Sequence, residues 1–67
     1  MNSNRLKAKM REKDVSVPEL SKLLGIDVST FYRKISSSTN MFSVEQARMI
    51  AIKLKMDDRE IQDIFFG

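Results

Sequence analysis

The sequence predicts an all-α domain of five short helices. Two observations carry that expectation. Capping residues recur along the chain, at Asn2 or Ser3, Ser16, Asp27, Ser43 and Asp57, each just ahead of a stretch with apolar periodicity. Between them, apolar residues return at three- and four-residue spacings, and no stretch alternates convincingly as a strand would.

The first helix is expected to run to about Lys13, with Leu6 and Met10 on its inward stripe. Its cations Arg5, Lys7, Lys9, Arg11 and Lys13 fall at every second position. At about 100° per residue this places Arg5, Lys9 and Lys13 on one flank, and Lys7 and Arg11 on the other. Ser16 and Glu19 have the S-x-x-E spacing of a capping box, and Pro18 sits in the first turn, where its missing N–H costs nothing. The second helix buries Leu20, Leu23 and Leu24 and ends at Gly25, which suits a left-handed position beyond a helix end.

Asp27 then caps a third helix with Phe31 and Ile35 inward, and residues 36–40, "SSSTN", form a polar loop. Ser43 and Gln46 make a second capping box, followed by the stripe Val44, Ala47, Ile50, Ala51 and Leu54. Asp57 and Glu60 repeat the arrangement before a fifth helix, whose inner face is Ile61, Ile64 and Phe65. Ser16, Asp27, Ser43 and Asp57 therefore read as caps rather than as catalytic groups.

Composition narrows the function. The 67 residues make one domain, residues 1–67, near the lower limit for a self-sufficient core. With no His and no Cys, the usual general base, thiol nucleophile and soft metal ligands are missing, and disulfides are impossible. Two glycines do not build a phosphate-cradling loop. The chain is therefore not expected to be an enzyme, nor to hold a cofactor or metal. No apolar run approaches the roughly 18 residues of a membrane span. The polar, basic start gives no expectation of a signal peptide, so the expected location is cytoplasmic.

Charge is uneven along the chain. Residues 1–55 carry eleven Lys or Arg against five acids, a balance of +6, and residues 56–67 carry one Arg against four acids, a balance of −3. A basic body with an acidic end suggests a polyanion on one side and a different partner on the other.

The stretch "LLGIDVSTFYRKI" joins the second and third helices through a short glycine-containing turn, which is the sequence description of a helix-turn-helix, spanning about residues 17–36. "SVPELSKLLGIDVSTFYRKI" resembles the helix-turn-helix of the small repressor and Cro proteins of temperate phages, within the wider Xre-like family. Leu20, Ser21, Leu24, Gly25, Ile26 and Phe31 match in order and spacing. "FSVEQARMIAIKLKMDDREIQDIFF" is similar to the last two helices of short Cro-like regulators from phages of Gram-positive hosts. Lys34 departs from the motif, which commonly has an apolar residue there. Ile35 is expected to fill that space, with the inward face of the third helix rotated slightly.

The resemblance implies a compact five-helix repressor/Cro-like domain acting on double-stranded operator DNA in a bacterial host cytoplasm. Helical spacing from Phe31 and Ile35 turns Val28, Ser29, Tyr32, Arg33 and Ser36 outward. Carried over from the motif, Val28, Ser29 and Arg33 hold base-reading places, with Tyr32 beside them. The Arg33 fork suits guanine O6 and N7, and Val28 suits a thymine methyl. Phosphate contacts are expected from first-turn N–H groups near Ser16 and Val17, then from Lys34 and the hydroxyls of Ser36, Ser37 and Ser38, then from Lys9 or Lys13.

Asp27 opposes a phosphate-rich groove unless it accepts from cytosine N4. With a net charge of only +3, a homodimer on DNA is expected to double the contacts. Phe65 can cover the core while its neighbour Phe66 must point elsewhere, so Ile61, Ile64, Phe65 and Phe66 form the expected protein interface. Two functions follow. One is a DNA-binding repressor of a phage genetic switch. The other is an antirepressor or co-repressor that grips a partner repressor protein and modulates its DNA binding.

Overall fold

A computed structural model of the chain describes residues 1–36 and 42–66. In order, the elements are α1 (Ser3–Glu12), α2 (Val17–Leu24), α3 (Val28–Ser36), α4 (Val44–Lys53) and α5 (Asp58–Ile61), the last continued by a π-helical turn, Gln62–Phe66. No strand occurs among the described residues. Among the described residues no helix is long and apolar enough to cross a membrane.

The helix starts follow the capping chemistry closely. The Asn2 side chain accepts from the Arg5 N–H at 3.1 Å and the Ser16 hydroxyl from the Glu19 N–H at 3.3 Å. Ser43 with Gln46 and Asp57 with Glu60 form complete reciprocal boxes. The first expected box is only half made. The Glu19 carboxylate leaves the helix end and pairs with Lys53 of α4 at 3.2 Å, tying α2 to α4. At α3 the Asp27 carbonyl accepts from the Phe31 N–H at 2.9 Å, but its carboxylate takes no first-turn N–H among the described residues. Asp27 therefore opens α3 through its backbone rather than its side chain.

Three helices end in one corner geometry. At Gly25, with φ of 70°, the Ile26 N–H reaches back to the Ser21 carbonyl at 3.0 Å. The same bond closes α1, from Val15 to Met10 at 2.9 Å with Asp14 at φ 56°. It closes α4 as well, from Met56 to Ala51 at 2.9 Å with Lys55 at φ 53°. Each satisfies a carbonyl that the helix end would leave without a partner. Only the glycine corner was visible in the sequence.

The core draws on every helix except α5. Leu6 and Met10 of α1, Leu20 of α2, Phe31 and Ile35 of α3, Ile50 of α4, Leu54 just beyond it and Ile64 of the π-helical turn form one buried cluster. Phe42 covers Phe31, with ring centroids 5.2 Å apart and the planes tilted by 56°. The Cα radius of gyration is 10.6 Å, close to the roughly 11 Å of a folded chain this long. Ile35 is buried and Lys34 half-buried, so Ile35 occupies the inward place beside Phe31.

Two expected core residues lie outside. Leu23 is exposed at the rim of α2. Val44 is 71% exposed, because it is the first residue of α4 and its side chain leans back past the helix start, away from the cluster.

Two predictions follow from this packing. Ser21 is buried in α2, and its hydroxyl has no hydrogen-bond partner among the described residues. Ser21→Ala should raise the stability read from urea denaturation by about 1 kcal/mol, the cost of an unpaired buried hydroxyl. A lower denaturation midpoint would show that this hydroxyl is satisfied in solution. The corners should respond with opposite signs. A Cβ at Gly25 meets nothing within 4 Å, so Gly25→Ala should lose only the backbone cost of about 1–2 kcal/mol, whereas Lys55→Gly should gain up to about that amount.

Candidate nucleic-acid interface

The helical period of α1 gives its cations two different fates. On one flank, Arg5 pairs with Asp63 at 3.3 Å and Lys9 bonds to Glu12 at 3.0 Å and also to Glu60, while Lys13 lies 3.6 Å from Glu12. The Asn2 N–H extends the row by donating to the Ile64 carbonyl at 2.7 Å. This flank is a polar seam that fastens α1 to the acidic C-terminal elements. The Lys9 side chain is only 10% exposed. In contrast to the expected phosphate contact, the ammonium is enclosed between two carboxylates, those of Glu12 and Glu60. Lys13 is drawn partly into the same row.

The other flank is open. Lys7 and Arg11 are exposed and form no ion pair among the described residues. With Met10, Val15, Ser16, Val17 and Tyr32 they line a shallow depression of about 370 Å³. The first turn of α2, Tyr32 and two exposed cations thus converge on one surface. The first-turn Val17 N–H has no partner inside the helix, and the Ser16 hydroxyl, which accepts from Glu19, keeps its proton for an outside acceptor. Lys7 and Arg11 were not among the expected contact residues. Their signal lay in the i, i+4 spacing, which separates them from Arg5, Lys9 and Lys13.

Along α3, Val28, Ser29, Tyr32, Arg33 and Ser36 are all exposed, and they span an arc of about 140° away from Phe31 and Ile35. The Arg33 guanidinium folds back along the helix, donating from Nη2 to the Thr30 hydroxyl at 3.0 Å. One of its five N–H donors is used there and the rest remain available. Ser36 behaves differently from expectation. Its hydroxyl donates to the Tyr32 carbonyl at 2.8 Å, so its proton serves the last turn of α3 rather than a phosphate. Lys34 is half-buried beside this face. Ser37 and Ser38 lie outside the described residues.

The expected protein interface divides. Ile64 is buried in the core and cannot meet a partner, and Phe65 is half-buried against the same cluster. Ile61 is half-buried, whereas Phe66 stands 62% exposed.

The chain matches no protein-family model, no curated protein and no solved structure.

The seam sets a pH dependence. A bond from Lys9 holds the Glu60 carboxyl below its ordinary value, helped by the Asp57 N–H, and Lys9 likewise lowers Glu12. The Lys9 ammonium is raised in turn, by Glu60 first and then by Glu12. The carboxylates' contribution to stability is therefore complete above the ordinary glutamate pKa, about 4.3, and is lost as pH falls through the depressed folded values. The contribution of Lys9 is complete below its ordinary pKa, about 10.4, and is lost as pH rises through the raised folded value. Urea midpoints compared at about pH 7 and pH 3 should fall in acid for the wild type and fall distinctly less for Lys9→Met. Equal acid losses in the two proteins would show that the seam is not the source.

Proposed function

We propose that this protein is a sequence-specific DNA-binding transcriptional regulator of the helix-turn-helix class, a Cro-like repressor of a phage genetic switch. In this reading α2 and α3 are the two helices of the motif, Gly25 is its corner, and α3 enters the major groove. One observation carries it. The exposed arc Val28, Ser29, Tyr32 and Arg33 lies on the helix whose Tyr32 joins the exposed Lys7 and Arg11 and the first turn of α2 around one depression. Base-reading side chains and phosphate-binding groups thereby share a surface, as major-groove readers require.

Within that reading, Arg33 forks onto a guanine, Val28 packs on a thymine methyl, and Ser29 donates or accepts. The α2 N-terminus near Ser16 and Val17 takes phosphates, as the sequence leads one to expect, joined by Lys7 and Arg11 in place of Lys9 and Lys13. The net charge of +3 makes binding by one copy weak and salt-sensitive, so two copies on half-sites about one helical turn apart complete the proposal. The chain is then a cytoplasmic regulator and not an enzyme. The antirepressor reading is favoured by a separate observation, the exposed Phe66, and is compatible with DNA binding in a complex.

The test is fluorescence anisotropy on duplex DNA flanking the gene, beside a random duplex of equal length, at several salt concentrations. Arg33→Ala should cost about 1–3 kcal/mol on the preferred duplex and relax the preference. Lys7→Ala and Arg11→Ala should weaken both duplexes alike and lower the salt slope by about one each. Lys9→Met should leave the slope unchanged. Equal affinity for flanking and random DNA would refute sequence-specific regulation by this chain alone.

A further inference from the structure

A second surface runs along the outer side of α4 to the C-terminal turn, and none of its lining residues belongs to α1, α2 or α3. It is a groove of about 310 Å³. The buried Ala47 and Ala51 form its floor, and Val44, Ile52 and Phe66 stand up around it, 71%, 72% and 62% exposed. Scattered single apolar residues on a surface are ordinary, but three large ones bordering one groove make an apolar patch of the kind that partners cover. Methyl side chains on the floor let a helix approach closely, within the 8–10 Å at which packed helix axes lie.

The rim decides the occupant. Arg48 and Lys55 line the groove, no acid does, and neither cation forms an ion pair among the described residues. We propose that this groove binds an amphipathic helix of a partner protein whose apolar stripe is flanked by Asp or Glu. Its apolar residues, at i, i+4 and i+7, lie over the alanines between Ile52 and Phe66, and its acids meet Arg48 and Lys55. The length of α4 offers about 15 Å, three turns of such a helix.

A second copy of this chain fits less well. Two-fold packing of this face would bring Arg48 and Lys55 towards their own counterparts, a like-charge arrangement. Of the nearby acids, Asp57 is engaged in its cap, Glu60 with Lys9 and Asp63 with Arg5, while Glu45 and Asp58, which form no ion pair among the described residues, lie outside the lining of the groove. The inference goes beyond the DNA reading and does not rest on it, since the two surfaces share no residue.

The test uses the full chain and two labelled peptides of about 15 residues, each with Leu at i, i+4, i+7 and i+11, one flanked by Glu and its sibling by Lys. Anisotropy should show saturable binding of the Glu peptide and affinity for the Lys peptide weaker by about tenfold or more. Ile52→Glu should abolish binding while leaving the circular dichroism of the chain intact, because Ile52 is exposed. The double variant Arg48→Glu/Lys55→Glu should invert the preference, which attraction by overall charge alone would not do in a manner dependent on Ile52. Absence of binding, or equal affinity for the two peptides, overturns the proposal. So does a wild-type dimer in sedimentation equilibrium that Ile52→Glu dissolves, which would assign the face to a second copy. Since Ile52→Glu leaves α3 untouched, its DNA titration tells failure here from failure of the DNA reading.

Discussion

Five side chains without exposed surface, Leu6, Leu20, Phe31, Ile50 and Leu54, hold this molecule together, and they come from four different segments. Helices of eight to ten residues, the length of α1 to α4, are too short to persist alone in water, where roughly 12–15 residues are needed even for favourable sequences. Each helix therefore exists only while the others cover its apolar stripe. Burial of each such side chain stabilises by about 1.5–3 kcal/mol, against roughly 1 kcal/mol for a cap. The core decides whether the fold forms, and the caps decide where each helix begins. Phe31 links this constraint to the candidate interface, because the anchoring of one face of α3 fixes the direction of the other.

Around that core, charge is sorted by helical geometry rather than by amount. The acidic end of the chain is only partly turned to solvent, with Asp57 and Asp58 exposed. Asp63 and Glu60 neutralise the α1 flank that carries Arg5 and Lys9, and in doing so dock the C-terminal elements on α1. Exposed pairs such as Arg5–Asp63 are worth little individually. Their larger consequence is the charge they leave over. Lys7 and Arg11, rotated away from the seam, form no ion pair among the described residues and lie beside Tyr32 and the start of α2. A modest net charge thus becomes a local cationic surface, which a count over the whole chain conceals.

The sequence made the starts of α1, α2, α4 and α5 legible because a cap is a local event, decided by one side chain and the N–H three residues on. The corners at Asp14 and Lys55 were not legible. Neither is a glycine, the residue that takes a left-handed conformation without steric cost, yet each adopts it where a backbone bond closes the helix end. The fates of Lys9 and Glu19 were hidden for a related reason: their partners, Glu60 and Lys53, are distant in sequence. On α3 the outward residues could be assigned from Phe31 and Ile35 alone, since one helical period fixes them. The apolar end was harder. Periodicity put Ile64 inward but did not exclude it from an interface, and Ile52 attracted no attention because a single exposed isoleucine carries no pattern.

The two proposed surfaces differ in chemistry as well as in position. One is polar and cationic, formed by exposed side chains of α1 and α3 beside the start of α2; the other is apolar with a cationic rim. Substitutions at exposed positions with no shared contacts have nearly additive effects. Ser29 or Arg33 can therefore change without disturbing Val44, Ile52 or Phe66, and the reverse also holds. Communication between the faces would need a bistable element in between. The intervening layer is one close-packed cluster of Leu20, Phe31, Ile50 and Leu54, with Glu19–Lys53 bridging its edge. Such a core favours a single arrangement. A partner seated on α4 would then act on DNA binding by its own bulk and charge near the duplex, rather than through a change in the shape of α3.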